Sequence, residues 1–158
     1  MTSKKIIIGQ AEEIIFLDDG NVSVIAKVDT GAESSSVWAS EIAEDQYGLS
    51  FVLFNKHSEQ FTGNMLHVKT GEYSQLSVIN SFGHKEARYK VTLNVSIHGK
   101  NLKAQFTLAN RSLMLFPVLI GRELLEDKFI VDVTKGKPFS KAEIELKKKV
   151  IEARKAEL

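Results

Sequence analysis

The amino-acid sequence predicts a mainly β protein, built as a small barrel or sandwich. Short alternating runs rich in β-branched residues recur from Lys4 to Asp132, and period-two runs are typical of strands with one buried face. Turn residues separate these runs at close intervals, as in small barrels and sandwiches. Helical signals are few and lie in the last part of the chain.

The candidate strands are separated by recognisable turns. Asp18-Asp19-Gly20-Asn21 favours a hairpin, because Asp and Gly both tolerate positive φ. His98-Gly99-Lys100-Asn101 marks a second turn, and the continuous apolar run Val118–Ile120 indicates a strand buried on both faces. In chain order the predicted strands are Ile6–Ile8, Ile14–Leu17, Val22–Val28, Leu49–Phe54, Met65–Lys69, Gln75–Ile79, Ala87–Val91, Val91–Ile97, Leu102–Leu108, Val118–Ile120 and Phe129–Val133.

Two helices are expected. A short one is predicted over Glu123–Asp127, after Gly121. A longer one is predicted over Lys141–Leu158, because Ser140 is a good N-cap and Glu143 stands three residues later, as in a capping box. Apolar residues are sparse in this segment, so we expect a surface helix that packs by one narrow stripe or is partly frayed. A helix that binds a calmodulin-like partner or a membrane surface is the less favoured interpretation.

Length and composition limit the function classes. The chain has 158 residues with 43% hydrophobic and 26% charged content, which is typical of a globular protein with one domain and at most one appendage. A net charge of +1 gives no electrostatic surplus for nucleic acid or an anionic membrane. Without Cys, the chain has no disulfide, thiolate zinc site or cysteine nucleophile. It shows neither a secretory signal nor a run of about 18 apolar residues, so we expect a cytoplasmic location.

One short motif has the residue types of a catalytic turn. Asp29-Thr30-Gly31-Ala32 directly follows the predicted strand Val22–Val28. Alone, such a tetrapeptide is more often a tight turn, since Asp, Thr and Gly are all turn residues. A second element far downstream favours the catalytic turn over a simple tight turn. Ile120-Gly121-Arg122-Glu123-Leu124-Leu125 joins an apolar strand to the predicted short helix.

These two elements, in this order, resemble the signature pair of the retropepsins, the single-domain aspartic proteases of retroviruses and their cellular relatives. More closely, the chain resembles a bacterial and archaeal group of retropepsin-like proteins that carry the label "ATP-dependent zinc protease". The resemblance spans about residues 5–135 and implies a small closed acid-protease barrel. The resembling segments are Lys27–Ala32 with Ser34-Ser35, Glu86–Tyr89, Arg111-Ser112 with Met114, Phe116–Leu125 and Val131–Val133.

The resemblance also implies an active site shared between two subunits. Each retropepsin subunit supplies one Asp, and the paired carboxyls share a proton because they cannot both ionise at close range. One carboxylate activates a water, and the protonated partner donates to the scissile carbonyl. By resemblance, Asp29 is the catalytic residue and Thr30 links the two loops of the dimer. Gly31 would supply backbone freedom and an acceptor for substrate, and Ala32 would contact the substrate.

Supporting residues and a flap follow from the same resemblance. Arg122, next to Gly121, would brace the catalytic loop through an ion pair with Glu33. A mobile flap hairpin would extend from about Val78 to Arg88 and cover the cleft. Its tip would be Phe82-Gly83-His84, where Gly83 suits a tight turn. The residues expected to contact substrate from the flap are Phe82, Gly83, His84, Glu86 and Arg88.

Other chemistries have weaker support in the residues. No His-Glu-x-x-His motif is present, so no metal site is expected, although a meeting of His57 and His67 across a hairpin stays open. No Gly-rich phosphate loop is present, and no cofactor is expected. Ser34-Ser35-Ser36 lacks the surroundings of a nucleophile and is typical of a polar strand start or helix cap. Glu86 and Arg88 form either a surface pair or a cleft pair that recognises a charged substrate.

Two hypotheses follow. The first is a retropepsin-like aspartic peptidase that acts as a homodimer on peptide or peptide-like amide bonds, with glutamate-rich tails made by a ligase partner as a candidate substrate by family association. The second is a non-catalytic binding or regulatory module of the same fold that partners an ATP-grasp-type ligase. Neither involves nucleic acid or a membrane. We expect residues 1–135 to form the barrel domain and residues 136–158 a C-terminal helical extension.

Overall fold

The computed structural model describes residues 4–79, 82–137 and 139–157, and strands dominate this part of the chain. A 3₁₀ turn at Leu17–Asp19 separates the second and third strands. The strands and α-helices, in chain order, are β1 (Ile6–Ile8), β2 (Ala11–Phe16), β3 (Val22–Val28), β4 (Ser35–Asp45), β5 (Gly48–Leu53), β6 (Met65–Lys69), β7 (Ser74–Ile79), β8 (Lys85–Ile97), β9 (Lys100–Ala109), β10 (Val118–Ile120), α1 (Arg122–Leu125), β11 (Phe129–Val131) and α2 (Lys141–Ala156).

Six of these strands form a closed barrel, which confirms the predicted fold class. β3, β2, β8, β9 and β4 are hydrogen-bonded neighbours in that order, and β10 pairs with both ends of the series. β10 runs parallel to β3 and antiparallel to β4. The three residues of β10 therefore close the barrel, and β10 is hydrogen-bonded to a neighbouring strand along each of its two edges.

The hydrophobic core lies inside the barrel and follows from the period of two along each strand. In β3, Val24, Ala26 and Val28 are buried while the residues between them face solvent. In β10, Val118 and Ile120 are fully buried on the core face, whereas Leu119 on the opposite face is half-buried, so the burial on both faces that the apolar run predicts is only partly observed. Aromatic rings fill the centre of the core, where Phe16 packs against Phe54 and Phe106 at oblique ring angles.

One long strand connects the barrel to a projecting hairpin. The first part of β8 pairs antiparallel with β7, from Ser74 opposite Lys90 to Ile79 opposite Lys85. From Lys90 to Ile97, β8 pairs with β9 in the barrel wall. The two strands predicted over Ala87–Val91 and Val91–Ile97 are therefore one continuous strand. We call Ser74–Lys90 the flap hairpin.

Three local expectations differ from the structure. β4 was not among the predicted strands, because it shows no alternation: residues 35–39 are all buried and residues 41–45 are all exposed, on the two sides of a register shift between Ser40 and Ala43. The short helix begins at Arg122 and ends at Leu125, earlier than predicted. In the first turn, Gly20 and its neighbour Asn21 adopt positive φ, whereas Asp19 lies in the 3₁₀ turn.

α2 is a surface helix with a capping box at its N-terminus. Glu143 donates its N–H to the Ser140 hydroxyl at 3.2 Å, and Ser140 donates its N–H to the Glu143 carboxylate at 3.3 Å. No residue of α2 is fully buried; Ile144, Lys147, Ile151 and Arg154 form a half-buried stripe. The predicted narrow stripe is confirmed, while Leu158 lies outside the described residues. Across the described ranges, no helix has both the length and the apolar character needed to cross a membrane.

Candidate functional site

Asp29 lies where β3 leaves the barrel beside the end of β10. The parallel register places Val28 opposite Ile120, and Asp29 donates its N–H to the Ile120 carbonyl at 2.9 Å. The Asp29 carboxylate is half-buried, and its Oδ1 accepts the Gly31 N–H at 3.0 Å. Thr30 and Gly31 are exposed. The Asp-Thr-Gly sequence therefore presents a positioned carboxylate on an accessible face of the barrel.

The segment from Asp29 to Ser34, which we call the Asp29 loop, is held by the N-terminus of α1. A helix begins with N–H groups that have no partner within the helix. Here the Arg122 N–H bonds the Ala32 carbonyl at 2.8 Å, and the Glu123 N–H bonds the Glu33 carbonyl at 3.0 Å. The two predicted motifs are thus joined directly through their backbones.

Gly121 allows this close approach. A Cβ at this position would lie 2.6 Å from the backbone carbon and oxygen of Ser34 and 3.0 Å from the Ala32 oxygen. The Gly121 N–H also donates to the Ser35 hydroxyl at 3.0 Å. At Gly31 the expected backbone freedom is not needed, since its φ is not positive. The observed contribution of Gly31 is instead the N–H that it gives to the Asp29 carboxylate.

The predicted ion pair between Glu33 and Arg122 is wrong for the described chain. The Arg122 guanidinium donates through Nη1 to the Thr30 carbonyl at 3.1 Å, and the ion pairs among the described residues do not include Glu33. Both side chains are exposed, so water replaces the partner at little cost. Arg122 still braces the Asp29 loop, but through a backbone carbonyl. The neighbouring Glu123 pairs with Lys90 of β8 at 3.0 Å.

The flap hairpin has its tip between Ile79 and Lys85. Gly83 adopts φ +79°, in agreement with the tight turn predicted there, and Phe82 is 83% exposed. Asn80 and Ser81, which belong to the predicted flap, lie outside the described residues. Farther along the hairpin, Arg88 Nη2 lies 3.4 Å from Glu86 Oε2.

A cavity of about 930 Å³ lies between the flap hairpin, the loop after β9 and α2; we call it the α2 cavity. Of the flap residues expected to contact substrate, Phe82, Glu86 and Arg88 line it, and Gly83 and His84 do not. The four residues of the Asp29-Thr30-Gly31-Ala32 motif do not line it either. The structure therefore separates the predicted site residues into two groups, one on the Asp29 loop and one at the α2 cavity.

Arg111 lines the α2 cavity and also feels the charge of Asp29, and sequence reasoning did not select it as a site residue. Burial lowers the pKa of Arg111, the Arg88 cation lowers it further, and the Asp29 carboxylate opposes both effects. Its Nε donates to the Phe116 carbonyl at 2.9 Å. The only signal in the sequence was its place in a resembling segment, because spacing alone does not show that a loop arginine returns towards Asp29.

The histidines lie in separate surroundings. His57 Nδ1 lies 2.9 Å from a Glu157 carboxylate oxygen, whereas His67 Nδ1 lies 3.2 Å from the Ser50 hydroxyl. Within the ranges that the structure describes, no three His, Asp or Glu side chains are grouped as a metal site would require. We therefore derive no metal chemistry from these residues.

A closed barrel with an Asp-Thr-Gly loop braced by a Gly-Arg pair defines the retropepsin-like class of fold. A family model described as "RimB-like: Retropepsin-like aspartic endopeptidase RimB" matches residues 7–141. The chain therefore belongs to the RimB-like family of retropepsin-like aspartic endopeptidases.

The chain is also similar to individual proteins and to a solved structure. Proteins named "Probable alpha-L-glutamate ligase" from Shewanella pealeana and Desulfotalea psychrophila are each 31% identical, over 84% and 81% of this chain and 29% and 28% of their own length. The chain thus spans less than a third of these curated relatives. A crystal structure of a protein of unknown function from Legionella pneumophila has a TM-score of 0.66 and 28% identity, over 85% of this chain and 98% of that one.

Proposed function

We propose that this chain is an aspartic peptidase, and that two copies related by a two-fold axis complete its active site. The observation that carries the proposal is the Asp29 carboxylate, half-buried on a loop that is fixed to β10 and α1 yet accessible. One chain contributes a single Asp-Thr-Gly sequence. A second copy would bring its own Asp29 alongside, and the two carboxyls would then share one proton because like charges repel at short range.

The chemistry needs no covalent intermediate. The ionised Asp29 of one copy accepts a proton from a water, which attacks the amide carbonyl, while the protonated Asp29 of the other copy donates to the carbonyl oxygen. The Gly31 N–H bond to Oδ1 keeps the carboxylate oriented towards the reacting water. The Thr30 hydroxyl would link the two loops across the axis.

The substrate we propose is an extended peptide, or a peptide-like amide, held between the flap hairpin and the Asp29 loop. Arg88 of the flap hairpin and Arg111 of the loop after β9 both line the α2 cavity, and the Arg88 cation disfavours the charge of Arg111. An acidic side chain would relieve this repulsion. Acidic peptides, including glutamate-rich tails, are therefore the favoured substrate class.

A fluorogenic glutamate-containing peptide tests the proposal. Asp29→Asn should abolish turnover and leave the sedimentation behaviour unchanged, whereas Asp127→Asn, on an exposed loop, should leave turnover intact. Adding an excess of the Asp29→Asn protein to wild type should also lower activity, because mixed dimers hold one acidic Asp instead of two. Turnover that survives Asp29→Asn would refute the proposal.

The second candidate is a non-catalytic module that binds or regulates an ATP-grasp-type ligase. The relatives named "Probable alpha-L-glutamate ligase" favour it, since the segment similar to this chain makes up less than a third of their length. In this case the wild-type chain would change the rate of such a ligase, and the Asp29→Asn variant would change that rate by the same amount. An effect on the ligase that disappears with Asp29→Asn would instead support the peptidase.

A further inference from the structure

α2 is held against the barrel by specific contacts near both of its ends. Arg154 donates to the Ser112 carbonyl at 3.0 Å and to the His57 carbonyl at 3.3 Å, and its guanidinium lies 5.0 Å from the centre of the Trp38 ring. Just before α2, Phe139 stacks on Phe116 with ring centres 4.8 Å apart. The middle of the helix therefore has a defined position although none of its residues is fully buried.

This position makes α2 one wall of the α2 cavity. Lys148, Ile151, Glu152 and Lys155 line the cavity from the helix, at the spacing of one helical face. The opposite wall is formed by the flap hairpin and the loop that carries Arg111. The family match ends where α2 begins, so the helix wall is a feature of this chain beyond the matched segment.

Positive charge predominates around the cavity. Four of the lining side chains are cationic, and two are carboxylates: Arg88, Arg111, Lys148 and Lys155, with Glu86 and Glu152. Both carboxylates already have a cation at 3.4 Å, Glu86 with Arg88 and Glu152 with Lys155.

The arginines retain unused hydrogen-bonding capacity. Among the described residues Arg111 forms no ion pair, and Arg88 Nε is buried without an acceptor. A buried donor without a partner is unfavourable. The two helix lysines have carboxylate neighbours on α2 itself, Glu145 at 3.7 Å from Lys148 and Glu152 at 3.4 Å from Lys155, but such exposed pairs contribute little. A carboxylate that enters the cavity would therefore meet Arg111 without a competing ion partner, together with a net excess of two cations among the lining side chains.

We infer that α2 forms a specificity subsite of the peptidase, in which Lys148 and Lys155 act with Arg111 to bind an acidic side chain of the substrate. The inference rests on the proposed function for its substrate, and it assigns to the C-terminal helix a direct contact with that substrate. Lys148 and Lys155 are specificity residues here and take no part in the chemical step at Asp29.

Binding is measured in the full chain carrying Asp29→Asn, so that the probe is not cleaved. The probe is a fluorescently labelled hexaglutamate peptide, and hexaglutamine is its neutral counterpart. The double variant Lys148→Gln/Lys155→Gln should raise the Kd for hexaglutamate at least about threefold and weaken its salt dependence, given the usual strength of partly exposed ion pairs. Lys148→Arg/Lys155→Arg should restore binding, because it restores both charges.

Lys149→Gln/Lys141→Gln is the matched control. It removes the same charge from the same helix at exposed positions that do not line the cavity, and it should leave the Kd within about 1.5-fold, because exposed charges at a distance are screened by salt. Circular dichroism of all variants verifies that α2 persists.

Three results would overturn the subsite: no preference for hexaglutamate over hexaglutamine, an unchanged Kd in Lys148→Gln/Lys155→Gln, or an equal loss in the control variant. Turnover by the same Lys variants, with Asp29 restored, distinguishes this inference from the proposed function. A raised KM with an unchanged kcat supports the subsite. If Asp29→Asn abolishes turnover but the Lys variants bind hexaglutamate normally, the subsite is refuted and the peptidase stands.

Discussion

Replacing Gly121 with alanine tests whether the close approach of β10 and α1 to the Asp29 loop stabilises the protein. The added Cβ would lie 2.6 Å from two backbone atoms of Ser34 and 3.0 Å from the Ala32 oxygen. These are backbone atoms, so no side-chain rotation removes the clash. Gly121 itself has φ −97°, which alanine adopts freely, and the effect of the substitution is therefore steric.

The loss of stability in Gly121→Ala follows from the displacement of the backbone at Gly121 away from the Asp29 loop. Overpacking of this kind costs about 1–3 kcal/mol. Separating the segments also lengthens two hydrogen bonds, from Gly121 N–H to the Ser35 hydroxyl and from Arg122 N–H to the Ala32 carbonyl, each worth about 1 kcal/mol. We expect a loss of about 3 kcal/mol, which for a chain of this size lowers Tm by about 6–12 °C.

Differential scanning calorimetry measures the effect, with Gly71→Ala as the control. Gly71 has φ +91°, and a Cβ added there would meet no atom within 4 Å. Alanine at this position therefore introduces left-handed strain alone, about 1 kcal/mol and about 2–4 °C in Tm. Gly121→Ala should be clearly less stable than Gly71→Ala. Equal Tm values for the two variants would show that the junction relaxes without cost and would refute the steric argument.

Two further predictions concern Tyr73, which precedes the flap hairpin, and α2. The hydrogen bond from the Tyr73 hydroxyl to Glu44, followed by burial and the Glu44 charge, raises the pKa of Tyr73 to about 12. The resulting stabilisation of the folded state is present below about pH 10, the usual tyrosine pKa, and is lost as the pH rises through 12. Ultraviolet titration should show one phenolate transition near pH 12 that disappears in Tyr73→Phe. A Tyr73 transition near pH 10 would contradict this prediction. Arg154→Met removes two hydrogen bonds and the contact with Trp38, so it should destabilise the docking of α2 by about 1–3 kcal/mol. Hydrogen exchange should then accelerate in α2 and stay unchanged in the barrel, and unchanged exchange in α2 would show that these contacts do not hold the helix.

Local patterns predicted much of the fold because they report burial directly. The alternation in β3 corresponds to a strand with one buried face, and the unbroken apolar run of β10 corresponds to a strand with one buried and one half-buried face. The capping box at the start of α2 could also be predicted from the sequence, since it depends on two residues that are only three positions apart. β4 was missed because one half of it is buried on both faces and the other half is exposed on both faces, so it has no period of two to detect.

The candidate site was only partly predictable. The Asp29 loop and its bracing by Arg122 follow from two motifs, yet the partner of Arg122 is a carbonyl of Thr30, and backbone acceptors leave no trace in a sequence. The position of Arg111 depends on how the loop after β9 folds back, and the α2 cavity depends on how α2 docks. Both are determined by long-range contacts with no periodic signal.

The strand that closes the barrel has a consequence for synthesis of the protein. Asp29 is anchored by a carbonyl of Ile120, which the ribosome adds long after the aspartate itself. A nascent chain released before that point lacks the last wall of the barrel as well as the anchor. Because pairing between distant segments is slow to form, the Asp29 loop reaches its anchored position only after most of the polypeptide has been made.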